Sequence, residues 1–108
     1  MPGGLLTDLY ELNMAAGYLR RGMAGQAVFS LFARRLPPER GFLIAAGLEE
    51  CLAFLESFSF TGADLAYLRR TQDYGETTLE QFRRLRFTGD VWAVPEGTAV
   101  FAPSRCWR

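Results

Sequence analysis

The sequence predicts a mixed fold, α/β or α+β, with helices packed on a small mixed sheet. Three observations predict it. Apolar residues recur at helical spacing in several separate stretches, a Phe-rich stretch near residues 26–35 is apolar on both of its faces, and a strand-turn-strand pattern closes the chain. Strands at both ends, one of them sheltered on both faces, argue for layers rather than a helix bundle.

The first helix begins at Thr7 or Asp8 and carries Leu9, Leu12, Ala16 and Leu19 at helical spacing. Asp8 with Glu11 three residues on forms a capping-box pattern, with Asp in place of the preferred Ser or Thr. Arg20 and Arg21 place positive charge at the carboxyl end, and Gly22 marks the stop. Residues 26–35, with Val28, Phe29, Leu31 and Phe32, follow as a strand buried on both sides. Pro37 and Pro38 then break the chain into a loop that ends near Gly41.

A second helix is expected from Phe42 to Phe58, with Ile44, Leu48, Cys51 and Leu55 on one packed stripe and Cys51 in the core. Thr61 and Asp64 stand in capping-box spacing before a third helix, and Thr77 and Glu80 before a short fourth one. The stretch from Gly89 to Pro103 reads as strand, tight Pro-Glu-Gly turn and strand, so that Asp90 to Gly97 form a structural hairpin.

A chain of 108 residues, 49% apolar and 14% aromatic, has the material to fill the core of one small domain. Twelve acidic residues balance twelve basic ones, so the overall field attracts neither nucleic acid nor an anionic membrane. Every basic residue is Arg, and four adjacent Arg pairs occur (Arg20 with Arg21, Arg34 with Arg35, Arg69 with Arg70, Arg83 with Arg84), each a rigid fork suited to phosphate. With only Cys51 and Cys106, a disulfide framework is not indicated and a reducing cytoplasm fits. Apolar runs are too short to span a bilayer, and the first four residues are too short for a targeting peptide. The chain has no His, which removes the usual zinc sites and the Ser/His and Cys/His nucleophile pairs; no metal ligand set and no catalytic residue is assigned.

The blocks LLTDLYELNMAAGYL, AVFSLFARRLPPERGFLIAAGLEE and FTGDVWAVPEGTAVF, in that order over roughly residues 5 to 102, resemble the amino-terminal portion of bacterial nicotinate phosphoribosyltransferase. The resemblance implies the amino-terminal domain of a type II phosphoribosyltransferase, without the irregular α/β barrel that carries the family's phosphorylatable His and most of its pyrophosphate contacts. It implies an enzyme of NAD biosynthesis that couples nicotinate to phosphoribosyl pyrophosphate with ATP hydrolysis. ATP and Mg are the full-length family's cofactors, none being expected on this chain alone, and the family is a cytoplasmic homodimer with its active site between subunits. Tyr10 matches the Tyr of the family's Thr-Asp-x-Tyr motif, which lies against the pyridine ring; packing on its own domain is the plain alternative. Asp8 matches the motif's Asp and either joins that pocket or caps the helix, and Arg34 either reaches phosphate or pyrophosphate across the dimer or is a solvated strand-end Arg. Arg35 and Arg40 are weaker substrate-binding candidates.

Where the family continues with Glu-Pro-Leu-Leu, this chain has PSRCWR. GC-rich codons for Glu-Pro-Leu-Leu-Ala, read one base out of frame, give Ser-Arg-Cys-Trp-Arg, so the expectation is a domain over residues 1–103 and a frameshifted, non-native tail over 104–108. The isolated chain is expected to be inactive. Two alternatives stand beside this reading: a nicotinamide-using relative that shares Thr-Asp-x-Tyr, and a non-catalytic module that dimerises through its first helix.

Overall fold

A computed structural model describes residues 3–102 and, as backbone only, 105–107. The expected boundary at 103 and the ends of the expected tail, 104 and 108, lie outside the described residues. Four helices and four short strands occur: α1 (Leu9–Arg20), β1 (Leu31–Phe32), β2 (Leu43–Ile44), α2 (Leu48–Ser57), α3 (Gly62–Thr71), α4 (Glu76–Arg84), β3 (Ala99–Val100) and β4 (Arg105–Trp107). The mixed helix-and-strand class holds, and the sheet is two separate antiparallel pairs, β1 with β4 and β2 with β3. The chain divides into two compact units, residues 1–25 with 54–87 and residues 26–53 with 88–108.

The first unit contains the core. Leu12 and Ala16 of α1, Leu65 and Leu68 of α3, Leu79 and Phe82 of α4, with Phe60 and Tyr74, are buried together. Phe60 stacks on Phe82 with ring centroids 5.1 Å apart, and Tyr74 meets Phe82 edge-on at 5.6 Å, arrangements that add about 0.5–1.5 kcal/mol to the area buried. The helices are delimited locally. Asp8 caps α1 in extended geometry, and its box with Glu11 is present but slack, the Asp8 N–H reaching the Glu11 carboxylate at 3.4 Å. At the other end Gly22, φ +63°, donates to the Leu19 carbonyl at 3.1 Å while Met23 N–H reaches the Tyr18 carbonyl at 3.0 Å. That is the double-bonded glycine stop expected at this position. Thr61 and Asp64 make a tight capping box on α3, with bonds of 2.8 and 3.1 Å. α4 begins two residues earlier than expected, at Glu76 after Gly75 with φ +80°, so Thr77 lies inside the helix rather than capping it.

Polar bonds lock α1 onto this core. The Tyr74 hydroxyl donates to Asn13 Oδ1 at 2.6 Å, and the Arg20 guanidinium donates to the Tyr74 carbonyl at 2.8 Å and to the buried Thr78 hydroxyl at 3.4 Å. Ahead of α1 the backbone lies flat on Phe60: a Cβ added to Gly4 would meet that ring at 2.8 Å.

The second unit departs more from expectation. The strand expected over 26–35 shrinks to Leu31–Phe32, and its side chains are open, Phe29 being 84% and Val28 73% exposed. A strand buried on both faces needs layers above and below it, whereas the side chains of β1 are exposed and its backbone pairs at the edge with β4. The second helix starts at Leu48, not Phe42, because Leu43 and Ile44 pair with Val100 and Ala99 and Gly47 turns the chain at φ +92°. No residue of α2 is buried, so Cys51, expected in the core, is an exposed free thiol. The Pro-Glu-Gly turn is present, with Gly97 at φ +83° and Thr98 N–H on the Pro95 carbonyl at 3.2 Å. Its following strand pairs with β2 instead of closing a hairpin on residues 91–94. Ala45 and the turn extend that ladder, Ala45 N–H to Thr98 O and Gly97 N–H to Ala45 O, each 2.8 Å.

Candidate functional site

Asp8 and Tyr10 lie at the start of α1 in the first unit, and Arg34 lies in the second. Tyr10 occupies the second helical position and is 59% exposed. Its hydroxyl donates to Glu11 Oε1 at 3.4 Å. The Glu11 carboxylate first, then desolvation and the Asp8 carboxylate, hold the phenol above its ordinary value of 10.0, because each disfavours a second negative charge there. The phenol is therefore neutral across the physiological range, and the residue is largely open to solvent.

The direction of Tyr10 follows from the helix beneath it. α1 is capped by Asp8, stopped at Gly22 and pinned on its inner side through Asn13 and Arg20. A side chain on such a helix leaves the backbone at a set angle. Asp8 thus stands at the cap, the second of the two roles open to it.

Arg34 is exposed and stands two residues beyond β1, past the strand end at which it was expected. Arg35 and Arg40 are exposed as well. None of the three makes an ion pair among the described residues, so each guanidinium keeps its donors for an anion. By contrast Arg69 is committed to Glu76 by a two-pronged bond of 2.7 and 2.9 Å, and Arg83 and Arg84 share Glu80. Of the four Arg pairs, these two and the pair of Arg20 with Arg21, whose Arg20 binds Tyr74 and Thr78, are occupied at least in part by structure. A shallow open groove along α4, lined by Glu76, Thr77, Glu80, Gln81 and Arg84, contains none of the candidate residues.

Two polar residues escaped the sequence reading. Glu96 sits in the expected turn, and its carboxylate accepts from Gly47 N–H at 2.8 Å and Leu48 N–H at 3.1 Å, capping α2. Tyr74 is the hinge of the α1 attachment. Both partners are remote in sequence, and no local pattern signals them.

Residues 5–105 match the family model described as nicotinate phosphoribosyltransferase (NAPRTase) N-terminal domain. The chain is 50% identical over 99 residues to nicotinate phosphoribosyltransferase pncB2 of Mycobacterium tuberculosis (strain ATCC 25618 / H37Rv), covering 92% of this chain and 21% of that protein. It is 47% identical over 98 residues to nicotinate phosphoribosyltransferase of Bacillus subtilis (strain 168), covering 90% and 20%. The Homo sapiens nicotinate phosphoribosyltransferase is 42% identical over 101 residues, covering 90% and 19%. The chain therefore spans about a fifth of the length of the curated relatives it matches.

Proposed function

The chain belongs to the nicotinate phosphoribosyltransferase family, matching its N-terminal domain, and on that premise we propose that it presents Tyr10 to the nicotinate ring in an enzyme joining nicotinate to phosphoribosyl pyrophosphate. The observation that carries this reading is an exposed, neutral aromatic ring on the first turn of a helix fixed at both ends. Nicotinate is an electron-poor ring with a carboxylate. A neutral phenol laid on it gains about 0.5–1.5 kcal/mol beyond burial, and adds no charge to repel the carboxylate.

The reaction forms a bond from the pyridine nitrogen to the ribose C1 carbon as pyrophosphate leaves. The ring must be held flat, the departing charge neutralised and water kept from the electrophilic carbon. Tyr10 serves the first need, Asp8 fixes the turn from which it projects, and Arg34 supplies donors toward phosphate. Stacking of this size orients a ring and is too small to make a site alone, so the remaining contacts come from elsewhere in the enzyme, across a homodimer in this reading. The described residues contain no group of three or more His, Cys, Asp or Glu that would hold a metal ion. No step is routed through the magnesium and ATP that the family resemblance implies. No helix among the described residues is long and apolar enough to cross a membrane; the cytoplasm is the proposed site of action.

The test is to replace the matching segment of the M. tuberculosis relative with residues 5–102 of this chain. Formation of nicotinate mononucleotide should survive the exchange. Tyr10→Ala should raise the KM for nicotinate by about tenfold, the equivalent of the stacking and burial lost, and Tyr10→Phe should leave it near the parent value. An inactive chimaera, or an unchanged KM in Tyr10→Ala, would sink the proposal. The isolated chain, given nicotinate, phosphoribosyl pyrophosphate and ATP, should show no turnover.

A further inference from the structure

We propose that Asn13 selects the carboxylate of nicotinate, its side-chain amide N–H groups donating to that carboxylate while Tyr10 lies on the ring. The inference rests on the nicotinate reading and adds to it a residue outside the Thr-Asp-x-Tyr motif. Asn13 is exposed, one turn after Tyr10 on α1, and its carboxamide is held at one end, where Oδ1 accepts from the Tyr74 hydroxyl at 2.6 Å. That length suits O–H···O and is short for N–H···O, so the oxygen and not the nitrogen faces Tyr74. Tyr74 is itself buried and bonded through its carbonyl to Arg20, and burial raises its phenol above 10.0, so the hydroxyl stays a donor across the physiological range. A planar carboxamide pinned by its oxygen turns its nitrogen away. Both amide N–H bonds of Asn13 lack a partner among the described residues.

The helix brings this amide beside Tyr10. Three residues amount to about 4.5 Å of rise and about 60° of rotation, and side chains at that spacing stand about 5–6 Å apart at Cβ. Side chains lean toward the amino end of a helix, so that of Asn13 leans toward the turn that carries Tyr10. A pyridine ring carries its carboxylate on the rim, and a ring laid on Tyr10 can direct that group to either flank. Charge decides between them. Glu11, whose carboxylate accepts from the Tyr10 hydroxyl and the Asp8 N–H, lies about 100° round the helix on one side, with Asp8 beyond it. On the other side stand the Asn13 amide and, two turns further on, the Arg20 guanidinium bound to the Tyr74 carbonyl. An anionic substituent is repelled by the first flank and met by donors on the second. Its bond to the amide is charge-assisted, whereas the same bond to the neutral carboxamide of nicotinamide is not, so Asn13 favours the acid.

Steady-state kinetics of the chimaera that carries residues 5–102 in the M. tuberculosis relative test this. Asn13→Asp is the informative variant, because a carboxylate still accepts from Tyr74 and keeps α1 attached, while the free end changes from donor to acceptor. It should raise the KM for nicotinate at least about tenfold with kcat near the parent value, and should not weaken inhibition by uncharged nicotinamide. Tyr74→Phe, which frees the amide to rotate, should raise the KM less, by about two- to threefold. An unchanged KM in Asn13→Asp, in a chimaera whose KM rises on Tyr10→Ala, overturns this inference and leaves the nicotinate reading standing. So does a rise in Tyr74→Phe as large as that in Asn13→Asp, since attachment of the helix would then account for both. An inactive chimaera, or a KM indifferent to Tyr10→Ala, overturns the nicotinate reading and this inference with it.

Discussion

Tyr74 shows how much one side chain can connect. Its ring packs edge-on against Phe82, its hydroxyl donates to Asn13, and its carbonyl accepts from Arg20. Burial pushes the phenol above its ordinary 10.0, with the Arg20 charge drawing it partly back. A raised value means that the folded chain holds this proton more tightly than the unfolded one. The resulting stability is complete below pH 10.0 and is lost as the pH rises through the raised value. Tyr74→Phe should cost about 1 kcal/mol at neutral pH, because Asn13 loses its donor, and should flatten the alkaline decline; denaturant unfolding at neutral and alkaline pH measures both. Nothing nearby in the sequence marks Tyr74, since Asn13 is 61 residues away. Tyr10 was singled out for a different reason, the Thr-Asp-x-Tyr pattern around it, and it stands exposed at the start of α1. Cys51 was misread because cysteine is a commonly buried type, a prior that fails on a helix with no buried residue.

At the scale of elements, what is local is legible. The two boxes, Asp8 with Glu11 and Thr61 with Asp64, and the glycine stop at Gly22 each span three to five residues and sit where the sequence places them. Gly22→Ala should cost about 1 kcal/mol, since the position needs a positive φ. The start of α2 was not legible: its cap is Glu96, whose bond to Gly47 spans 49 residues. Glu96→Ala should cost about 1 kcal/mol and speed amide exchange at Gly47 and Leu48 while leaving α3, with its own box, unchanged. Strands show the same limit. Residues 26–35 have strand composition, yet pairing decides where a strand exists, and only Leu31 and Phe32 find a partner. The turn at Gly97 was readable from Pro-Glu-Gly, whereas the choice of β2 over residues 91–94 as partner was not.

Across the whole molecule, buried apolar material is unevenly divided. Phe82 is fully buried among α1, α3, α4 and two aromatic rings, whereas Val100 is the one buried side chain of the second unit among the described residues. Phe82→Ala should cost about 3–5 kcal/mol, a large part of the roughly 5–15 kcal/mol that holds a small domain folded, and should abolish the cooperative thermal transition seen by circular dichroism. Hydrogen exchange should divide the same way: amides of α1, α3 and α4 should be the slowest, and those of Ala45, Gly97 and Thr98 should exchange earlier. The flat seating of Gly4 on the Phe60 ring, finally, turns a packing detail into a mark that can be read in other chains. A methyl group at that position would collide with the ring, so a related sequence with any other residue there must lead its chain into the first helix by a different path. A glycine is the signature of the path seen in this one.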